Sequence, residues 1–326
     1  MIRLFVVLSM LLSTPALASE VITIAVSAAV GGTPHFQSMI LAKYLTKHME
    51  GNPKVNVTSM QGAGGIVLNN WLYNIADQQN TIVTTSWNGN SILHGLNGNP
   101  QVKYDVTKFQ YLFATNDGPD GVFAIWGSNR RGLTKIEQMR EKGNPFVFGD
   151  QGTSENNIVN FMMTKVLKLE SKIVYGYKST HKAILDGEID ARFGTLQGTV
   201  MLNPHWLQSD SEIQAIAQVG TKTRNRKIPN APVFNEFVTD PDHLKVLDMF
   251  DDMMDVTRPY YAGPNMKPER AKQFIEAARK IPTDPEWIAE MSKLDGSSVE
   301  FVQHEDTVKI MNKIISTDKK ILDLIK

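Results

Sequence analysis

The chain has 326 residues, no cysteine, 42% hydrophobic residues, and 34 basic against 34 acidic side chains. That length suggests two domains. The absence of cysteine excludes a disulfide framework, a thiolate nucleophile and a Cys-based metal site, and zero net charge argues against a nucleic-acid protein.

Met1 to Ala18 reads as a secretory signal. Arg3 supplies the positive start, Leu4 to Leu12 an almost unbroken apolar run, and Ala16-Leu17-Ala18 the small-x-small cleavage pattern. The run falls short of the ~20 residues that span a bilayer. A retained anchor is the alternative reading, and a lipid anchor is excluded because no cysteine follows. The expected mature protein is exported and soluble, starting at Ser19, with Arg3 the only charge lost.

Val21 to Val26 alternates as a half-buried strand, with Ile22, Ile24 and Val26 on one face. Gly31-Gly32-Thr33-Pro34 turns into a helix carrying Phe36, Ile40, Leu41, Tyr44 and Leu45, and Pro34 suits its first turn. Val55 and Val57 mark a second strand. Gln61-Gly62-Ala63-Gly64-Gly65 leads to a helix with Leu68, Trp71, Leu72 and Ile75 on one stripe. Thr81 to Thr85 is a third strand, ending at Ser86-Trp87-Asn88-Gly89. Strand and helix alternating at this spacing form a parallel-sheet unit.

Val122 to Trp126 reads as a chain crossover, and a second unit begins near Phe146. Strands are expected at Phe146 to Phe148, Ile173 to Tyr175, Ile189 to Phe193 and Ile213 to Val219. Between them lie the loop Gly149-Asp150-Gln151-Gly152-Thr153-Ser154, a helical stripe from Ile158 to Leu169, and a short helix around His181 to Leu185. Arg258 to Ala262 follows, then helices over Pro268 to Lys280, Asp284 to Leu294 and Glu305 to Ile325. The expectation is a two-lobed α/β fold, each lobe a mostly parallel sheet flanked by helices. A ligand cleft lies between the lobes, at the carboxyl ends of strands. Residues 19–124 with 256–326 form one lobe and 125–255 the other.

The turn Gly62-Ala63-Gly64-Gly65-Ile66-Val67 fails the dinucleotide fingerprint, which needs Gly or Ala where Val67 stands. No Gly-Lys-Ser/Thr ending marks a phosphate loop. Gly31-Gly32-Thr33, Gln61-Gly62 and Gly152-Thr153-Ser154 are singly either plain tight turns or anion cradles built on free N–H groups. Three of them at strand ends favour an anion-binding cleft. The seven histidines show no metal-ligand spacing, and no Gly-x-Ser-x-Gly elbow exists. Asp251, Asp252 and Asp255 read as a solvated helix face rather than a cation site. His304-Glu305-Asp306 reads as a helix cap. No catalytic residue, metal ligand or cofactor is expected.

Several segments resemble the periplasmic receptors of tripartite tricarboxylate transporters, the Bug-type solute-binding proteins. They are Gly31-Gly32, Gly51-Asn52-Pro53, Gln61-Gly62-Ala63-Gly64-Gly65, Tyr175-Gly176-Tyr177 and Leu185-Asp186-Gly187-Glu188-Ile189-Asp190. Ile228-Pro229-Asn230-Ala231-Pro232-Val233 and Tyr261-Ala262-Gly263-Pro264 extend the likeness over nearly the whole mature chain. The resemblance implies a monomeric periplasmic protein that closes on a small organic carboxylate and delivers it to the large and small membrane subunits of a transporter. It implies that Gly31-Gly32-Thr33 and Gln151-Gly152-Thr153-Ser154 hold the carboxylate.

The sequence departs from the family's Gly-Gly-Gly-x-Asp-x-x-Ala-Arg pattern: Thr33 replaces the third Gly, His35 the Asp and Met39 the Arg. A histidine adds a donor where a carboxylate only accepts. His35, Ser86, Trp87, Asn88, Phe193 and Thr195 complete the candidate site. In one reading His35, Trp87 and Phe193 accommodate a bulkier carboxylate, aromatic or hydroxylated. In the other the aromatics pack the hinge and His35 points to solvent. Two other functions stay open: a receptor serving a membrane sensor kinase, and a periplasmic enzyme acting on a carboxylate, for which His35 has no evident orienting partner.

Overall fold

A computed structural model describes residues 20–28, 30–31, 33–84, 88–141, 145–150, 157–169, 172–177, 179–291 and 299–325. The signal segment lies outside them. In chain order the strands are β1 (Val21–Val26), β2 (Lys54–Ser59), β3 (Thr81–Thr84), β4 (Gln110–Asn116), β5 (Phe123–Ser128) and β6 (Val147–Gly149). There follow β7 (Lys172–Val174), β8 (Ala191–Thr195), β9 (Ile213–Val219), β10 (Arg258–Ala262) and β11 (Glu300–Val302). The helices are α1 (Thr33–His48), α2 (Ile66–Asn74), α3 (Asn88–Leu96), α4 (Asn157–Phe161), α5 (Thr180–Asp186) and α6 (Leu196–Leu202). The last five are α7 (Pro241–Asp255), α8 (Pro268–Lys280), α9 (Pro285–Met291), α10 (His304–Ile315) and α11 (Lys319–Asp323).

The strands form two sheets, ordered β11-β4-β10-β3-β1-β2 and β7-β6-β8-β5-β9. The architecture is a two-lobed α/β fold. Each sheet is mixed, not mostly parallel. β1 pairs in parallel with β2 and β3, and β6 with β7 and β8. β10 runs antiparallel to both β3 and β4, and β5 antiparallel to both β8 and β9. These are the strands that arrive from the other sheet. Entering from the hinge, each must run against the strands that leave toward it. β11 adds a further antiparallel pairing at the edge, on β4.

Local signals explain most boundaries. Pro34 sits in the first turn of α1, whose last turn carries Lys47 and His48, charges that suit the negative helix end. Asp240 caps α7 by accepting from the Asp242 and His243 N–H groups. Ser179 caps α5, and Gly187 closes it in the left-handed conformation. Ile22, Ile24 and Val26 are buried as the alternation predicts, as are Ile40, Leu41, Tyr44 and Leu45.

Several expectations fail. Phe36, assigned to the apolar stripe of α1, is 49% exposed. The run at Val122 to Trp126 is no bare crossover: Phe123–Ser128 is the antiparallel strand β5. The final helix breaks into α10 and α11, because Asp318 caps a new start through the Lys320 N–H. His304 does not cap α10; its Nδ1 meets the Leu112 carbonyl at 3.1 Å. Asp251 and Asp252 are buried rather than on a solvated face, since α7 packs against α3, α10 and α11. Asp252 is paired with Lys313 at 2.6 Å.

Apolar packing reinforces the two-lobe plan. One core runs from Val83 and Tyr261 in the first sheet, through Val246, Leu247, Phe250 and Met253 of α7, to Phe148 and Val219 in the second. A second core lies between the first sheet and α1 and α8, with Tyr44, Phe113, Tyr260 and Phe274. A third fills the space between the second sheet and α5 and α6, with Trp126, Ile184, Leu196 and Trp206.

Candidate functional site

At the first sheet's edge, the segments following β1 and β2 are tied together. Met60 N–H donates to the Val26 carbonyl at 2.8 Å, and the Ser59 hydroxyl to the Ala28 carbonyl at 2.5 Å. Gly31 adopts φ +82°, and its N–H reaches the Nδ1 of His35 at 3.5 Å. The half-buried His35 ring thus leans back on its own turn, leaving Nε2 to carry the proton of the neutral ring. After β2 the backbone takes positive φ at four successive residues: Gly62 (+140°), Ala63 (+45°), Gly64 (+59°) and Gly65 (+96°). A Cβ on Gly62 would meet Cγ2 of Val67 at 2.7 Å. The residue that spoils the dinucleotide fingerprint is therefore the one that packs on this turn. Gln61 is exposed beside it.

The hinge is pinned by a buried ion pair. Asp117 follows β4 as the chain leaves the first sheet, and Arg258 opens β10 as it returns. Their side chains join through two bonds, Nη1 to Oδ1 at 2.7 Å and Nη2 to Oδ2 at 2.9 Å. Both are almost fully buried. Gln37 of α1 donates to the same carboxylate at 3.4 Å, and Asn116 donates to the Asp255 carbonyl at 3.0 Å. A cavity of about 290 Å³ lies alongside, lined by Asn116, Asp117, Lys222, Asp251 and Asp255 among others. Asp251 Oδ2 has no partner there. Burial, with its acidic neighbours adding, raises the Asp251 carboxyl to about 7 against the pull of Lys222.

In the second sheet the informative strand is β8. Its last residues, Gly194 and Thr195, lie opposite Ala124 and Phe123 at the start of β5, where the chain enters from the hinge. This end of the sheet therefore faces the hinge and the first lobe. The Thr195 hydroxyl caps α6 by accepting from the Gly198 N–H at 3.1 Å, and keeps its own proton to donate. Phe193 stacks on Phe123, ring centroids 4.7 Å apart at 11°.

Arg192 lies on the opposite face of β8 and is 5% exposed. Its Nε donates to the Thr180 hydroxyl at 3.0 Å and its Nη1 to the Thr199 hydroxyl at 2.9 Å. Burial lowers the guanidinium to about 10. His181 stacks on Trp206 at 5.2 Å, with a buried Nε2 that has no partner. Burial first, and the Arg192 charge second, push its imidazole down to about 4, so it is neutral at neutral pH.

The chain thus builds two sheets joined by paired crossovers, with loops at strand ends facing the hinge. Solved structures carry the same plan. A TctC solute-binding protein from Polaromonas superposes with a TM-score of 0.62 at 15% identity, covering 94% of this chain and 98% of its own. MatC from Rhodopseudomonas palustris, with bound malate, gives 0.63 at 12% identity, covering 96% and 100%. A second R. palustris protein, with adipate, gives 0.65 at 13% identity, covering 94% and 97%.

The chain shares the two-lobed fold of these proteins. No family model matches its sequence, and no curated protein does.

Within that fold the candidate residues separate into four groups. Gly31, Gln61 and Gly62 lie in the turns after β1 and β2, with His35 in the first turn of α1; Phe193 and Thr195 lie at the hinge-facing end of β8. Gly32, Ser86, Trp87, Gln151, Gly152, Thr153 and Ser154 fall outside the described residues. Thr33 and Asn88 are placed by backbone as the first residues of α1 and α3. Among the described residues no cluster of three metal-ligating side chains occurs. Sequence reasoning missed Arg192, His181 and the pair Asp117–Arg258. The sequence signal for Arg192 was a charge, beside Asp190, inside a segment read as a strand.

Proposed function

We propose that this protein is an exported periplasmic receptor, not an enzyme. It captures a small organic carboxylate between two lobes, residues 19–124 with 256–326 and residues 125–255, and delivers it as a monomer to the large and small membrane subunits of a tripartite tricarboxylate-type transporter. The observation that carries this reading is the two-lobed fold itself. It is shared over nearly the whole chain with a TctC solute-binding protein and with two R. palustris proteins that hold malate and adipate. The hinge supports it, because a clamshell closes about two crossovers and here both are stapled by one ion pair. Ligand contacts from both lobes favour the closed state by differential binding.

The test is a thermal-shift screen of the purified mature protein over aliphatic, hydroxylated and aromatic organic acids, followed by calorimetry of any hit. A ligand at ~100 times its dissociation constant stabilises the native state by about 2.7 kcal/mol, a shift of several degrees. One ligand per chain and an unaltered ligand recovered after incubation are expected. A flat screen would overturn the receptor reading, and a chemical product would overturn the non-enzyme assignment.

A further inference from the structure

We propose that the cavity beside the hinge is a second binding site, one that takes a small organic cation through its primary ammonium group. The cavity, about 290 Å³, is walled by the outgoing crossover, the end of β9 and the last turns of α7. It lies apart from the candidate carboxylate site. β5 stands between β8, whose end carries Phe193 and Thr195, and β9, which reaches the cavity through Gly220 and Lys222. The inference therefore does not depend on the receptor reading.

Asp251 is the decisive residue. It lines the cavity, is 7% exposed, and its Oδ2 has no hydrogen-bond partner. A carboxylate so withdrawn from water calls for a proton or a cation beside it. Asp255, one helical turn on, lines the same wall. No basic residue stands in the last turn of α7, so the negative end of the helix adds to both. The neighbouring acids are accounted for: Asp117 is taken by Arg258 and Asp252 by Lys313, while Asp248 adds its charge to that of Asp251. Among the described residues the one cation on the walls is the exposed Lys222. It acts on Asp251 and Asp255 through its charge, without a hydrogen bond to either. Negative charge is in excess.

The walls also select the kind of cation. Among the described residues no three acidic or histidine side chains gather as a metal ion requires. An ammonium group needs less, since its three N–H donors can bridge two carboxylates in charge-assisted hydrogen bonds. Beyond the aspartates, Val122 and Met254 offer apolar surface, and Gly118, Gly121 and Gly220 leave room for a short alkyl chain. A Cβ on Gly220 would meet Cγ of Met254 at 2.6 Å, so that glycine lets Met254 line the cavity. A proton is the competing partner of Asp251, because burial holds its carboxyl at about 7. The ammonium replaces that proton, and binding tightens as pH rises.

The experiment is titration calorimetry of the mature chain with propylammonium at constant ionic strength, with tetramethylammonium as a cation that has no N–H to donate. Wild type at about pH 8 is expected to take one propylammonium per chain, at least about tenfold tighter than tetramethylammonium and at least about tenfold tighter than at about pH 5.5. D251N keeps the shape and removes the charge; it should weaken propylammonium at least about tenfold and flatten the pH dependence. K222M removes the opposing cation and should tighten binding about threefold. No binding by wild type, equal binding of tetramethylammonium, or undiminished binding by D251N overturns the assignment. Should D251N fail to fold by circular dichroism, K222M decides, and unchanged or weaker binding there overturns it. None of these outcomes bears on the carboxylate screen, so the two readings fail separately.

Discussion

The two lobes each bury an arginine in a strand, Arg258 at the start of β10 and Arg192 in β8, and they treat it in opposite ways. Arg258 meets a buried carboxylate in a two-bond pair that joins the outgoing and returning chain. Among the described residues Arg192 meets only threonine hydroxyls. The first arrangement satisfies its charge internally and leaves nothing for a ligand. The second leaves a desolvated cation between its sheet and the helices α5 and α6. What a buried charge contributes thus depends on what partners it, not on how deep it lies.

The contrast breaks most readily at the hinge. D117A strips Arg258 of its anion while keeping it buried, and stability should fall by about 3–5 kcal/mol in urea unfolding. A loss below about 1 kcal/mol would show that the pair is replaceable by water and pins nothing.

Asp251 supplies a test with the opposite charge. Burial, first, and Asp248, Asp255 and Asp252 hold its carboxyl near 7 while Lys222 opposes them. Between about pH 4 and 7 the folded protein keeps a proton that the unfolded chain has released, so stability falls as pH rises through that window. D251N removes this dependence. Its melting temperature should match wild type near pH 4.5 and exceed it at pH 8, by up to about 4 kcal/mol in stability terms. Parallel pH profiles for the two proteins would contradict the assignment.

The smallest effect is expected at Arg192 itself. Without ligand, R192M exchanges an unpaired buried cation for an apolar chain of similar length, and unfolding free energy should change by no more than about 1 kcal/mol. A loss as large as that of D117A would make Arg192 a structural residue like Arg258 and erase the difference between the lobes.

Residue patterns foretold part of this molecule. β1 lies where alternation puts it, α1 and α8 start where Pro34 and Pro268 put them, β3 and β9 lie at their expected positions, and the glycine turns were legible as turns. β4 was not. Its run Gln110–Asn116 is buried almost throughout, so it lacks the alternation that identifies a half-exposed strand. α7 was misread for a related reason: a helix covered by α3, α10 and α11 carries aspartates that a surface helix would turn to water.

The candidate site divides along the same line. The expected export signal, the two α/β units and the glycine turns at strand ends follow from signals that act over a few residues, where backbone sterics and hydrophobic period dominate. Strand direction depends on which sheet a strand joins. The pairing of Asp117 with Arg258 spans 141 positions, and the solitude of Arg192 is a property of everything packed around it. No local pattern encodes whether a charge buried by distant segments will find its counter-ion; only the closed arrangement of the chain decides that.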